Sequence, residues 1–289
     1  MKLSIISCVL AVCSLCILSG PANSQVSKPI YQQKRDSLFA YIKSQKFPLI
    51  DYHVHIKGGL TIEAVLEKSK RLGIVCGIAP NCGLNFPITN DSLLYDYYNK
   101  MRNYPVFLGM QAEGREWTKT FSKEAIAKFD YVFTDALTFT DDKGKRMRIW
   151  LKDEVEINDA QVFMEMYVSR ILDVINKEPI DIFVNPTFLP EVIAPHYDEL
   201  WTNERMQKVI DAAVKRQIAI EINDRYKIPS AKFIKLAKKS GAKFSFGTNN
   251  AETTFGDFSY CREMVKECNL QYSDMFQPKC LVTYMTKSK

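Results

Sequence analysis

The sequence predicts an α/β barrel of parallel strands. β-rich runs alternate seven times with longer amphipathic stretches, without a composition break or a Pro/Gly linker. That pattern means parallel strands joined by crossover helices. The turn after the first run carries Gly58-Gly59 but no third glycine, so it lacks the fingerprint of an open dinucleotide-binding sheet. All seven runs end in polar residues able to reach a central site: His53 with His55, then Asn81, Glu113, Asp135, Asn185, Glu221 with Asn223, and Asn249 with Asn250. Functional residues at the C-terminal ends of many strands are the demand of a closed barrel.

Taken in order, Lys2, the apolar run from Ile5 to Leu18 and the small residues Ser19 to Ser24 read as a secretory signal peptide. Residues 1–24 are therefore expected to be removed, and 25–289 to form a single barrel domain of an exported protein, periplasmic or secreted. The strands are expected at Pro48–Ile56, Ile74–Pro80, Val106–Glu113, Tyr131–Phe139, Ile182–Phe188, Ile218–Asn223 and Phe244–Asn249. Helical spacing of apolar residues marks Thr61 to Leu72, Asp159 to Asn176, Met206 to Val214 and Ser230 to Lys239, the last with Ser230 as N-cap and Gly241 as stop.

A hydrophobic fraction of 46% and a charged fraction of 25% exclude disorder. No second apolar run of about 18 residues follows the first, which excludes a membrane span. The net charge of +6 is spread along the chain. Its densest cluster (Lys143, Lys145, Arg146, Arg148) lies in a turn-rich segment and reads as a solvated hairpin, so nucleic acid is not an expected partner. Five cysteines follow the signal: Cys76, Cys82, Cys261, Cys268 and Cys280. Cys76–Cys82 and Cys261–Cys268 are close enough to pair, and buried free thiols are an equal alternative.

The sharpest motif is Asp51-Tyr52-His53-Val54-His55. Side chains alternate along a strand, so His53 and His55, with Asp51, are expected on one face. Two imidazoles on one face suit a metal ion. Glu113, ending an apolar strand, and Asp135, a carboxylate inside one, would complete such a site; a carboxylate with two histidines suits zinc, iron or manganese. Asn249 offers a neutral oxygen. Asn81, Asn185, Asn223, Arg225 and Trp117 are candidate substrate contacts. Lys57 and Arg115 are candidates to hold an anionic group, and Asp135 or Glu221 to take a proton.

Asp-x-His-x-His at the first strand and a glutamate ending the third resemble the PHP (polymerase and histidinol phosphatase) superfamily. So do Glu221-Ile222-Asn223 followed by Ile228-Pro229-Ser230, and the Lys243-Phe244-Ser245-Phe246-Gly247 strand. The resemblance spans about Pro48 to Asn250. It implies a distorted seven-stranded barrel, metal ions and phosphate-ester hydrolysis. The family's closing Gly-Ser-Asp-Ala-His reads Gly247-Thr248-Asn249-Asn250-Ala251, and its His-Pro at the fifth strand reads Asn185-Pro186. With those ligands replaced, one or two divalent ions are expected instead of three. The expected function is metal-dependent hydrolysis of a small anionic or sugar-like substrate. The alternative is a non-catalytic small-molecule or carbohydrate-binding module on the same barrel.

Overall fold

The structure is a computed structural model that describes residues 28–140, 144, 146–250, 253 and 256–287. The expected signal peptide, Lys143, Lys145 and Ala251 lie outside the described residues. Seven parallel strands close into a barrel in sequence order: β1 Leu49–Val54, β2 Ile74–Ile78, β3 Phe107–Ala112, β4 Tyr131–Thr134, β5 Ile182–Phe183, β6 Ala219–Asn223 and β7 Phe244–Gly247. β7 pairs back onto β1 at Asp51 and Phe246, and β2 pairs with β3 directly. The two residues Asn81–Cys82 resume the line of β2 and pair again with β3.

The long helices are α1 Ile30–Ser44, α2 Ile62–Leu72, α3 Asp91–Met101, α4 Ala160–Lys177, α5 Asn203–Arg216, α6 Ala231–Lys239, α7 Ser259–Glu267 and α8 Lys279–Lys287. Their starts follow side-chain chemistry. Thr61, Asn90, Asp159, Thr202 and Ser230 each accept a hydrogen bond from a backbone N–H of the first turn. Gly73, in the left-handed region, stops α2. Among the described residues no helix is long and apolar enough to cross a membrane.

Two apolar layers result. One lies between the sheet and its helices. The other takes Ile50, Tyr52, Val75, Phe107, Tyr131 and Phe133 from β1–β4 together with Leu38, Phe39 and Ile42 of α1. The Phe39 ring packs on Phe107, the first residue of β3, at 5.8 Å between centroids, so α1 covers the N-terminal end of the barrel. The opposite end is left for polar residues.

Three expected strands are shorter than the apolar pattern suggests. β5 stops at Phe183, because Asn185 takes a left-handed φ of 51°. The run Tyr131–Phe139 divides: β4 ends at Thr134, and Thr138–Thr140 pairs instead with Arg146–Arg148 in a separate hairpin. β7 ends at Gly247, before Asn249 at φ 43°. The five described cysteines are all free, and four are buried, so neither pair suggested by spacing forms.

Candidate metal and hydrolytic site

His53 stands at the end of β1, one residue after a core residue. Strict alternation fails here, because the register of β1 against β2 shifts between Asp51 and Val54. Tyr52 packs edge-on to Tyr131, and the next side chain, His53, rests on Phe133 at 4.6 Å between ring centroids. Asp51 does not join the histidines. Its Oδ1 accepts from the His53 and Thr248 N–H groups, and its Oδ2 from the Thr248 hydroxyl at 2.5 Å. Burial pushes its carboxyl up to about 6 against these bonds.

Both imidazoles are oriented by oxygens that can only accept. His53 Nδ1 donates to Glu221 Oε1 at 2.6 Å, and His55 Nδ1 donates to the Ala79 carbonyl at 2.7 Å. In a neutral ring each Nε2 then carries a lone pair. The rings lie 5.0 Å apart at 83°, and His53 Nε2 is buried without a hydrogen-bond partner. Burial, with His53 and Lys57 close by, holds His55 well below the usual imidazole range. Asn250 fixes the His55 backbone: its Oδ1 accepts from the His55 N–H at 2.8 Å, and its Nδ2 donates to the His55 carbonyl at 2.9 Å. Asn250→Ala is expected to cost about 2 kcal/mol by stranding buried backbone groups, measured as the urea midpoint shift of the metal-free protein; a change below a few tenths would contradict this.

The carboxylates of the mouth repel each other. Glu113 accepts from Asn81 Nδ2 at 2.7 Å. Burial, and then the charge of Asp135, raise its carboxyl to about 8. Asp135 is also raised by burial, although its Oδ1 accepts from the Leu137 N–H at 3.0 Å and its Oδ2 from Asn185 Nδ2 at 3.1 Å. Lys57 is exposed at the rim, and burial of its stem together with Arg225 lowers its ammonium.

The asparagines expected to meet a substrate are bonded chiefly to one another and to Glu221. Asn185 donates its N–H to Glu221 Oε2 at 2.9 Å, and its Oδ1 accepts from Asn223 Nδ2 at 3.0 Å and Asn249 Nδ2 at 3.2 Å. Asn223 Nδ2 also donates to Glu221 Oε2 at 2.9 Å, while its Oδ1 accepts from the Tyr226 N–H at 2.9 Å. Glu221, read in the sequence as a proton acceptor, therefore has both oxygens engaged. Arg225 is exposed, donates to the Asn249 carbonyl at 3.3 Å and lies over the Tyr226 ring.

Burial and bonding correct one sequence expectation, at Trp117, and give Arg115, which is exposed, a bracing role. Trp117 is 0% exposed and donates its indole N–H to Glu178 Oε2 at 2.6 Å, so it presents no face to a ligand. Arg115 is held by Glu178 Oε1 at 2.7 Å, and also donates to the Thr134 hydroxyl at 3.0 Å and the Asp135 carbonyl at 3.2 Å. It braces the strand end that carries Asp135. Glu178 itself is a residue the sequence reading missed. Its only signal is a carboxylate closing an amphipathic helix just before Pro179.

Fold and site together define a parallel α/β barrel with an imidazole–carboxylate cluster at its C-terminal mouth. Among solved structures it is similar to histidinol phosphate phosphatase from Lactococcus lactis subsp. lactis Il1403, determined with zinc, L-histidinol and phosphate. The TM-score is 0.58 and the identity 15%, over 80% of this chain and 100% of that one. The fold is thus PHP-like. A weaker likeness to the YdjI aldolase from Escherichia coli K12 has a TM-score of 0.29 at 14% identity, over 83% of this chain and 92% of that one. No family model and no curated protein matches the chain.

Proposed function

We propose that the protein is a metal-dependent hydrolase of a small anionic ester, phosphoesterase-like, acting outside the cytoplasm. The observation that carries this reading is the pair of imidazoles with each Nδ1 pinned to an acceptor oxygen. Such pinning is how proteins set the tautomer and angle of metal-binding histidines. Among the described residues no preassembled group of three or more His, Cys, Asp or Glu ligands stands at metal-holding distance. The residues nevertheless suit a cation. His53 Nε2 is buried with nothing to bind, and Glu113 and Asp135 are two buried acids held up by burial, with Asp135 adding to the rise at Glu113. His53, His55, Glu113 and Asp135 would hold the ion, with Asn249 at the edge of the set. Zinc, manganese or iron suits these donors. A bound divalent ion would lower the pKa of water into the neutral range.

The remaining roles fall to the chain's own groups. Glu221 keeps His53 oriented and stays engaged with Asn185 and Asn223. Asp135, whose Oδ1 accepts from the Leu137 N–H and whose Oδ2 accepts from Asn185 Nδ2, is the candidate proton acceptor. Lys57 and Arg225 stand at the rim where an anionic substrate would enter, and Arg115 supports Asp135 from behind. The likeness to a phosphatase that was solved with phosphate makes phosphate monoesters the first substrates to try. A sugar-binding module would rely on free asparagines, and those at Asn185 and Asn223 are already bonded internally.

Metal analysis of protein purified with zinc, manganese or iron should find at least one ion per chain. Chelation should abolish phosphate-ester hydrolysis. His53→Ala should lose both metal and activity, by more than the roughly 10–100-fold that loss of an outer partner costs. No stoichiometric metal, together with His53→Ala and His55→Ala variants that behave like wild type, would overturn the reading. A milder case is Glu221→Gln, which keeps the shape but weakens the acceptor for Nδ1. It should lower metal affinity about 10–100-fold, read by competition with a chelating dye.

A further inference from the structure

We propose that the groove beside the mouth, walled by Trp150, Phe188 and Tyr226, takes a flat aromatic group on the alcohol side of the substrate ester. The inference rests on the hydrolase reading and narrows its substrate class. The cavity measures about 930 Å³, the size of a small-molecule pocket. Its apolar lining includes Trp150, Phe188, Leu189, Pro190, Val192 and Tyr226, and its charged side chains are of both signs. Trp150 is 41% exposed and Val192 62% exposed, so large apolar side chains meet water along this cavity.

Two short stretches of chain tie the wall of the groove to residues of the site. Phe188 follows Asn185 by three residues, and Tyr226 follows Asn223, whose side chain holds the Tyr226 N–H. The Phe188 and Tyr226 rings meet edge to face at 4.9 Å. On the mouth side, the Arg225 guanidinium lies 5.0 Å from the Tyr226 ring centroid. One ring therefore separates a cation suited to the ester's anionic group from an aromatic wall suited to its alcohol. Aromatic side chains favour ring partners in edge or offset contact.

The chain carries a probe of this groove. Of its three tryptophans, Trp117 and Trp201 are fully buried, and Trp150 lines the cavity. Benzyl phosphate and ethyl phosphate are esters of simple primary alcohols that differ in the ring. Benzyl phosphate should change Trp150 emission saturably and shield it from acrylamide, whereas ethyl phosphate should not, and Trp150→Phe should lose the signal. The KM for benzyl phosphate should be at least tenfold below that for ethyl phosphate. Phe188→Ala and Trp150→Ala should close that gap without raising the KM for ethyl phosphate. Equal KM values with unchanged Trp150 emission would overturn the subsite while leaving the hydrolase reading intact. Saturable shielding of Trp150 by benzyl phosphate, with neither ester cleaved, would keep the subsite and overturn the hydrolase.

Discussion

Replacing Gly247 with alanine is expected to destabilise the protein by about 3 kcal/mol or more and to remove its metal affinity. A Cβ at this position would stand 2.0 Å from Glu221 Oε1 and 2.7 Å from His53 Cβ. Neither neighbour can retreat cheaply. Glu221 Oε1 holds His53 Nδ1, while its Oε2 accepts from the Asn185 N–H and Asn223 Nδ2. The backbone of Gly247 is also fixed, since it pairs with Asn223 in β6 and its carbonyl accepts from the Asp224 N–H at 2.8 Å. The methyl group thus displaces a buried carboxylate from three donors at once. Adding Glu221→Ala removes the main clash, so the double variant should be more stable than the sum of the two single losses predicts. Strictly additive costs in urea unfolding would show that the contact with Glu221 does not set the requirement for glycine.

That glycine was visible in the sequence only as part of the Lys243–Gly247 strand, and the contrast shows what patterning conveys. The number of strands, their parallel sense and their polar ends could be read because each depends on local periodicity and on residues adjacent in sequence. Helix starts at Thr61, Asp159 and Ser230 were legible for the same reason, since a cap acts within three residues. Strand lengths were not. Ile182–Phe188 and Tyr131–Phe139 are apolar enough for longer strands, but Asn185 turns left-handed and Thr138–Thr140 finds an antiparallel partner outside the barrel.

The candidates His53, His55 and Glu113 came from residue type at strand ends, whereas partners that come from distant strands were opaque. Alternation placed Asp51 beside the histidines; the register shift in β1 instead gives it to Thr248, 197 residues away. Asparagines at strand ends looked like ligand contacts because a sequence cannot show that Asn185, Asn223 and Asn249 bond one another. Trp117 looked like part of the mouth but is buried against Glu178, at the end of α4, which also holds the exposed Arg115. Long-range pairing of polar groups is the information a single sequence lacks, and it decides which polar residues remain free for a substrate.

In the absence of metal, the protein is expected to lose stability as the pH rises from about 6.5 to 8, and Glu113→Gln is expected to reduce that loss. The Glu113 carboxyl is raised to about 8, by burial first and then by Asp135. Below the ordinary carboxylate range, folded and unfolded chains are both protonated and no penalty arises. As the pH rises, the unfolded chain releases this proton while the folded chain retains it, so folding is disfavoured by about 1.4 kcal/mol per pH unit until the folded group titrates near 8. The raised Asp135 acts in the same sense. Asp51, raised to about 6, contributes to loss at lower pH, so a window above 6.5 isolates the mouth. Glutamine keeps the oxygen that accepts from Asn81 but has no proton to lose, and the variant should overtake wild type in urea midpoint toward pH 8. Zinc or manganese should change the slope, because a cation favours the two carboxylates and binding releases their protons. If wild type and Glu113→Gln keep a constant difference across this window without metal, Glu113 is not the titrating group, and its place in the ion-holding set loses its electrostatic basis.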